Sequence, residues 1–409
     1  MSVIGFIVII ACKQCDRLVQ VGQLGTQQKA TCPNCGAHLI TCRQNLSQWN
    51  MAFAITSLLF LFTSLYPSFI SFSQHGLTQQ ISLWQACILL SEKYNAVLAG
   101  LFLFTILLMP VYVCLLTLIS HSKLWPKLRL SVARKLTKSF SYITPLNLAD
   151  IFLVAVLVSA FKLMSLADLT LGYGFWAYVL FVICFIELLT LIDESELWER
   201  QQCQFEPVEH LCGQTAMLNK LRRCHICNQL SHEDTCPRCE AKTYFRKPDS
   251  MERATIWMLT ALILLIPANL LPIMDTINLG HHTPATIFSG IVIMWESGSY
   301  PIASLIFLAS ICIPIVKAIL LFYLIAQTSK CHSPKKASQL YRLLEIIGKW
   351  SMIDVFVVIV LVSLVQLGNV LTVEPMLGIV FFTTMVLCQM IAVHSFDPRI
   401  LWDKYHAYE

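Results

Sequence analysis

The stretch DIFLVAVLVSAFKL (150–163) returns 204 residues later as DVFVVIVLVSLVQL (354–367), with Asp, Phe, Val, the Leu-Val-Ser run and the final Leu in the same places. Working outward at that shift, Pro110 falls on Pro314, Glu92 on Glu296, and Cys32 and Cys35 on Cys236 and Cys239. The register runs without a gap from Cys32 to Ser159. A match at one fixed long period marks an internal repeat. The chain of 409 residues therefore reads as two halves of one design.

Composition says what the halves are made of. The chain is 56% hydrophobic and 13% charged, with a mean hydropathy of +0.66. Soluble domains carry about 25% charged residues, so this is the balance of a membrane protein. Nearly uncharged apolar stretches lie at about 51–73, 95–119, 142–165, 170–192, 254–274, 299–326, 350–371 and 376–394. Each can cross about 30 Å of hydrocarbon at about 1.5 Å per residue. The expectation is an all-α polytopic fold of eight helices, as two parallel four-helix repeats related by an axis along the membrane normal. The apolar run Val3–Ala11 is too short to span and leads straight into Cys12. No cleavable signal peptide is expected there, and the run reads as a strand or short segment packed on the first cysteine module. Segments 81–90 and 285–295 are apolar but short; re-entrant, interfacial and strand readings all stay open.

Basic residues give the direction. Loop 120–141 holds Lys123, Lys127, Arg129, Arg134, Lys135 and Lys138 and no acid; loop 327–349 holds Lys330, Lys335, Lys336, Arg342 and Lys349. Segments 166–170, 275–298 and 372–375 hold no Lys or Arg. The positive-inside rule then puts both termini, both basic loops and the segment 193–253 in the cytoplasm. The net charge of +5 is mostly this bias, and nucleic acid is not an expected partner.

Cys12-x2-Cys15 is followed after sixteen residues by Cys32-x2-Cys35, and Cys224-x2-Cys227 after eight residues by Cys236-x2-Cys239. Each set offers four thiolates, suited to a closed tetrahedral Zn²⁺ site; iron fits the same donors. Four protein ligands leave no open position, so both sites are expected to be structural. A thiol-redox role for the Cys-x2-Cys pairs is the lesser alternative. Cys87, Cys114, Cys184, Cys312 and Cys388 sit in apolar runs and read as packing residues. The expected organisation is a zinc ribbon over 1–45, a four-helix domain over 46–198, a second ribbon with its linker over 199–248, and a second four-helix domain with a short tail over 249–409.

Ionisable groups at membrane depth are costly and mark candidate sites. Asp150 and Asp354 repeat in the two halves near helix starts, where a carboxylate also meets the positive end of the helix dipole; both readings stand. Lys162 lies near the outer end of its span, with snorkelling as the alternative. Lys317 lies about 13 Å from the inner end of its span at helical rise, just after Pro314, which kinks a helix. Ser310 stands about two turns before it on the same face. The repeat breaks here: Val113 and Gln366 stand opposite Lys317 and Lys162, as specialised halves require.

IPANLLPIM (266–274), TIFSGI (286–291), SICIPIVK (310–317), WSMIDVFVV (350–358) and the paired cysteine modules resemble the paraquat-inducible protein A family of Gram-negative inner-membrane proteins. The likeness runs over essentially the whole chain. It implies a subunit that moves lipid or another lipophile to or from a periplasmic tunnel built of mammalian-cell-entry (MCE) domains. Membrane lipids and that tunnel protein are the implied partners. The resemblance implies zinc on the eight cysteines and a transport path through Lys162, Ser310, Lys317, Asp354 and Gln389. No Walker A pattern occurs, which leaves proton motive force as the expected energy source. A membrane scaffold or stress sensor, using its ribbons to bind a cytoplasmic partner, is the alternative. A catalytic role is not expected.

Overall fold

The computed structural model describes residues 8–22, 28–41, 46–74, 77–93, 99–100, 102–122, 125, 129–144, 147–164, 168–192, 197–198, 213–278, 281–296, 298, 300–330, 333–350, 352–364 and 371–406. It opens with two hairpins, β1 (Val8–Ala11) with β2 (Leu18–Val21) and β3 (Lys29–Thr31) with β4 (His38–Thr41). The strand expected before Cys12 is thus present from Val8 on. Next come α1 (Leu46–Leu65), β5 (Ser68–Gln74), β6 (Leu77–Ser82) and α2 (Leu83–Lys93). A π turn at Leu103–Leu108 leads into α3 (Met109–His121), then α4 (Leu130–Ile143), α5 (Ala149–Met164), β7 (Asp168–Leu171) and α6 (Tyr173–Leu191).

A short hairpin, β8 (Arg222–Arg223) with β9 (Leu230–Ser231), precedes the second half. That half runs α7 (Ser250–Leu270), β10 (Met274–Asn278), β11 (His281–Ala285), α8 (Ile287–Glu296) and α9 (Tyr300–Phe307). A π turn at Leu308–Cys312 follows, then α10 (Ile313–Lys330), α11 (Pro334–Trp350), α12 (Ile353–Leu364), β12 (Leu371–Pro375), α13 (Leu377–Ser395) and α14 (Ile400–His406). Elements α7, β11, α10, α12 and α13 each begin 204 residues after α1, β6, α3, α5 and α6. The strand orders β6-β5-β7 and β11-β10-β12 match as well.

Among the described residues, six helical stretches are long and apolar enough to cross a membrane: Leu46–Leu65, Leu103–His121, Tyr173–Leu191, Ser250–Leu270, Ala303–Ser329 and Leu377–Asp403. Their polarity is inverted relative to a soluble helix. On α7 the large residues Leu259, Ile263, Ile266 and Leu270 face outward, while Ala254, Met258, Ala261 and Ala268 are buried. With lipid outside there is no hydrophobic gain from hiding leucine, and small residues let helices approach. The small-residue stripe of α7 packs on α13, and α1 packs on α6 in the same way. Gly378 shows how close the chains come: a Cβ there would sit 2.5 Å from the Pro272 carbonyl oxygen.

The remaining expected spans divide differently. Helix α1 stops at Leu65 because Pro67 follows and Ile70–Ser73 alternates apolar and polar residues, a strand pattern. Likewise α7 stops at Leu270, before β10. The stretch 142–165 is not one helix: α4 ends at Ile143 and α5 begins at Ala149, with Pro145, which lacks an amide donor, in the gap. Within stretch 350–371 the described helix is α12, and residues 351 and 365–370 lie outside the described residues. Segments 81–90 and 285–295 form α2 and α8. Each is started by a reciprocal cap, Ser82 with Gln85 and Thr286 with Ser289, in which a side-chain oxygen accepts the partner's amide in both directions.

The halves meet where α5 packs on α12. Phe152 lies edge-on to Phe356, its counterpart at the 204 shift, with ring centroids 5.9 Å apart at 82°. Beside them Ser159 Oγ donates to Val357 O at 3.3 Å.

Candidate functional sites: two four-sulfur clusters and a buried lysine

Each Cys-x2-Cys segment folds as the same tight turn. The first cysteine's carbonyl accepts an amide from the residue after the second cysteine: Asp16, Gly36, Asn228 and Glu240, at 2.8–3.2 Å. All four of those residues have positive φ, between 57° and 70°. Only glycine adopts it freely, and Asn and Asp tolerate it. The turns leave the sulfurs converging. Cys12 Sγ and Cys35 Sγ are 3.4 Å apart, Cys15 and Cys32 3.5 Å, and Cys224–Cys239 and Cys227–Cys236 3.4 Å each. All four sulfurs of each set lie within 4.8 Å of one another, and all eight residues are buried.

A tetrahedral zinc with Zn–S of about 2.3 Å needs sulfurs on the order of 3.8 Å apart, so the donor sets fit a metal such as zinc. Hydrogen bonds among the thiols push Cys32 and Cys224 below the ordinary thiol range and Cys15 and Cys227 above it, with Cys12 first for Cys32 and Cys15, Cys227 first for Cys224 and Cys224 first for Cys227. His225 and His232 are not among the converging donors.

The two clusters sit under the opposite halves. Cys12, Cys15, Cys32 and Cys35 pack among Ala254, Met258, Leu321, Tyr341, Phe396 and Trp402 of the second half. Arg342 of α11 donates to Cys35 O at 3.0 Å and Gly36 O at 3.2 Å. The second cluster's turn reaches the first half, where Glu240 pairs with Arg134 of α4. The clusters are also tied to each other: Leu18 N donates to Gln214 O at 2.8 Å and Ala216 N to Asp16 O at 2.9 Å. Asp16, buried, is gripped by Arg246 at 2.9 Å and faces Arg399 at 3.6 Å. Sequence reasoning missed this crossover, because spacing within a module says nothing about which half it rests on.

Lys317 is fully buried. Its Nζ donates to Gly348 O at 3.3 Å and to Gln389 Oε1 at 3.4 Å, and Gln389 Nε2 donates to Pro314 O at 3.2 Å. The structure thus joins α10, α13 and the end of α11 through two predicted residues, Lys317 and Gln389, and two backbone carbonyls. Gly348 was missed, since a carbonyl carries no signal in a sequence. The π turn Leu308–Cys312 lies just before this site and holds Ser310, whose Oγ donates to Ile306 O at 2.8 Å; π turns are frequent at functional sites. At the 204 shift the first half has Val113, Phe185 and Ile106 in place of Lys317, Gln389 and Ser310, all buried. Its counterpart is an apolar core.

The other candidates are not brought to this cluster by any described contact. Asp150 lies in the first turn of α5, as the helix-start reading expects. Lys162 and Asp354 belong to α5 and α12, and their side chains lie outside the described residues.

The family model described as paraquat-inducible protein A matches residues 47–202 and again 251–406, a second match 204 residues after the first. The chain belongs to the paraquat-inducible protein A family. Within that family it is 35% identical over 410 residues to "Intermembrane transport protein PqiA" of Escherichia coli K12, covering 97% of this chain and 95% of the relative. It is 27% identical over 403 residues to "Lipophilic envelope-spanning tunnel protein A" of the same organism, covering 97% and 91%. A "Probable intermembrane transport protein" of Haemophilus influenzae is 28% identical over 417 residues, covering 97% and 96%. No solved structure matches the chain. The paraquat-inducible protein A family match and the six apolar helices make this a multi-pass membrane protein of a transport family.

Proposed function

We propose that the chain is the inner-membrane subunit of a lipid or lipophile transporter, passing its cargo to or from a periplasmic MCE-domain tunnel. Both ribbons, holding zinc, and both termini face the cytoplasm, because the basic loops lie on that side. Each half crosses the membrane four times, the third crossing running through α5 in the first half and through α12 in the second. The path centres on Lys317 and Gln389 of the second half, with Ser310 and Asp354 beside them and Asp150 and Lys162 contributed by α5 of the first half, and movement is coupled to protons.

The observation that supports this best is Lys317 itself. It is a fully buried lysine inside an apolar bundle, held by carbonyl oxygens. A buried charge is expensive unless hydrogen-bonded, and the first half does without one at Val113. The shared fold therefore does not require it; a role specific to the second half does. The direct test is purification of the full chain from its own membrane. The expected result is an MCE-domain protein in the same particle, together with phospholipid identified by mass spectrometry. A chain that purifies with neither overturns this reading.

A further inference from the structure

Helix α11 connects the first sulfur cluster to Lys317. At its third turn Arg342 grips the turn that carries Cys35, with Nη2 to Cys35 O at 3.0 Å and Nη1 to Gly36 O at 3.2 Å. Six residues on, about 9 Å along the same helix, Gly348 offers its carbonyl to Lys317 Nζ. Beside Arg342, Tyr341 is buried, its hydroxyl donating to Val393 O at 3.4 Å, one turn beyond Gln389. A helix transmits a shift of one end to the other because its hydrogen-bonded backbone is stiff. The contact in the first half is of another kind: Arg134 meets the Glu240 side chain, which is 74% exposed, and the space that matches Lys317 there is filled by Val113.

We propose that Arg342 is a positioning residue. It locks the Cys35 turn to α11, so that a formed first cluster holds the Gly348 carbonyl in place against Lys317. The fork of Arg342 suits this, since its planar guanidinium presents two separate nitrogens to two neighbouring carbonyls in a fixed geometry. The Cys35 turn in turn depends on its sulfurs being held together; Gly36, at φ 70°, adopts a backbone that needs no strain only because it is glycine. The two clusters, alike in chemistry, therefore serve different ends. The first sets the geometry of the charged site, and the second does not. This rests on the reading of Lys317 as part of the transport path.

Hydrogen exchange of the full-length protein in detergent, read by mass spectrometry, tests the strut directly. Arg342→Ala, Arg342→Lys and Arg134→Ala are compared with the unaltered chain, and metal per chain is measured on each. Hydrogen bonds from a charged group are strong enough that losing both should raise exchange over 343–350 about tenfold in Arg342→Ala. Arg342→Lys, keeping one bond, should fall between, and Arg134→Ala should leave 343–350 unchanged. Unaltered protection of 343–350 in both Arg342 variants overturns the proposal. So does an equal rise in Arg134→Ala, or a loss spread over the whole second half. If Arg342→Ala does not accumulate, Arg342→Lys decides alone: protection equal to the unaltered chain overturns the strut. The transport reading fails separately, through Lys317→Ala retaining transport, and leaves these exchange results standing.

Discussion

Lys317 and Gln389, 72 residues apart in sequence, meet inside the second half with Nζ 3.4 Å from Oε1. The amide of Gln389 then turns its other end to the Pro314 carbonyl at 3.2 Å, on the helix that carries Lys317. One glutamine thus bridges α13 to α10 at two points. The lysine it supports has no counterpart in the first half, where Val113 and Phe185 close the same space with carbon.

Removing that bridge should weaken the second half. Gln389→Leu leaves the Pro314 carbonyl and one Lys317 donor without this partner, which costs on the order of 1–3 kcal/mol. Thermal melting in detergent should show the drop. Gln389→Glu, which keeps an acceptor for Lys317, should recover part of it. Equal melting of Gln389→Leu and the unaltered protein would rule out a structural role for the bridge.

The halves should answer oppositely to exchange of their buried residues. Val113→Lys places a cation among Ile106, Phe185 and their neighbours without a partner, a loss of roughly 3–5 kcal/mol for an uncompensated buried charge. Lys317→Met removes a buried charge and fills the space with carbon, so it should accumulate and melt close to the unaltered chain. Expression level and melting temperature of both variants in one membrane preparation give the comparison.

Metal analysis should find two ions per chain, removed by acid as the thiolates protonate. Cys12→Ser combined with Cys15→Ser should leave one ion and open the second half to protease near α11, because that cluster packs on Tyr341 and Phe396. Cys224→Ser with Cys227→Ser should leave one ion and expose α4 of the first half instead. Cleavage confined to the half that follows each module in the chain would refute the crossover.

Much of this was legible beforehand. The Cys-x2-Cys spacing located both clusters, because four thiols on two tight turns have few other uses. The 204-residue shift gave the element order, and Lys317 stood out as a charge in an apolar run. Gln389 came from family resemblance alone; a glutamine within a span has no periodicity to betray it. Three things stayed hidden for physical reasons. Span 142–165 reads as a single helix because hydropathy does not register the break between Ile143 and Ala149. The sheets β5–β7 and β10–β12 carry little signal in the sequence, because their strands are short and β7 and β12 pair across about a hundred residues with β5 and β10. The crossing of the ribbons depends on contacts such as Arg342 with Cys35, which no local pattern encodes.

The central claim is that Lys317 carries transport rather than fold. The most direct measurement is transfer of a labelled phospholipid out of vesicles holding the full-length protein and the proposed tunnel protein, comparing Lys317→Ala with the unaltered chain at an imposed proton gradient. The account expects Lys317→Ala to insert, keep both metals and lose transfer, while the unaltered chain loses transfer when the gradient is collapsed. Undiminished transfer by Lys317→Ala would contradict it.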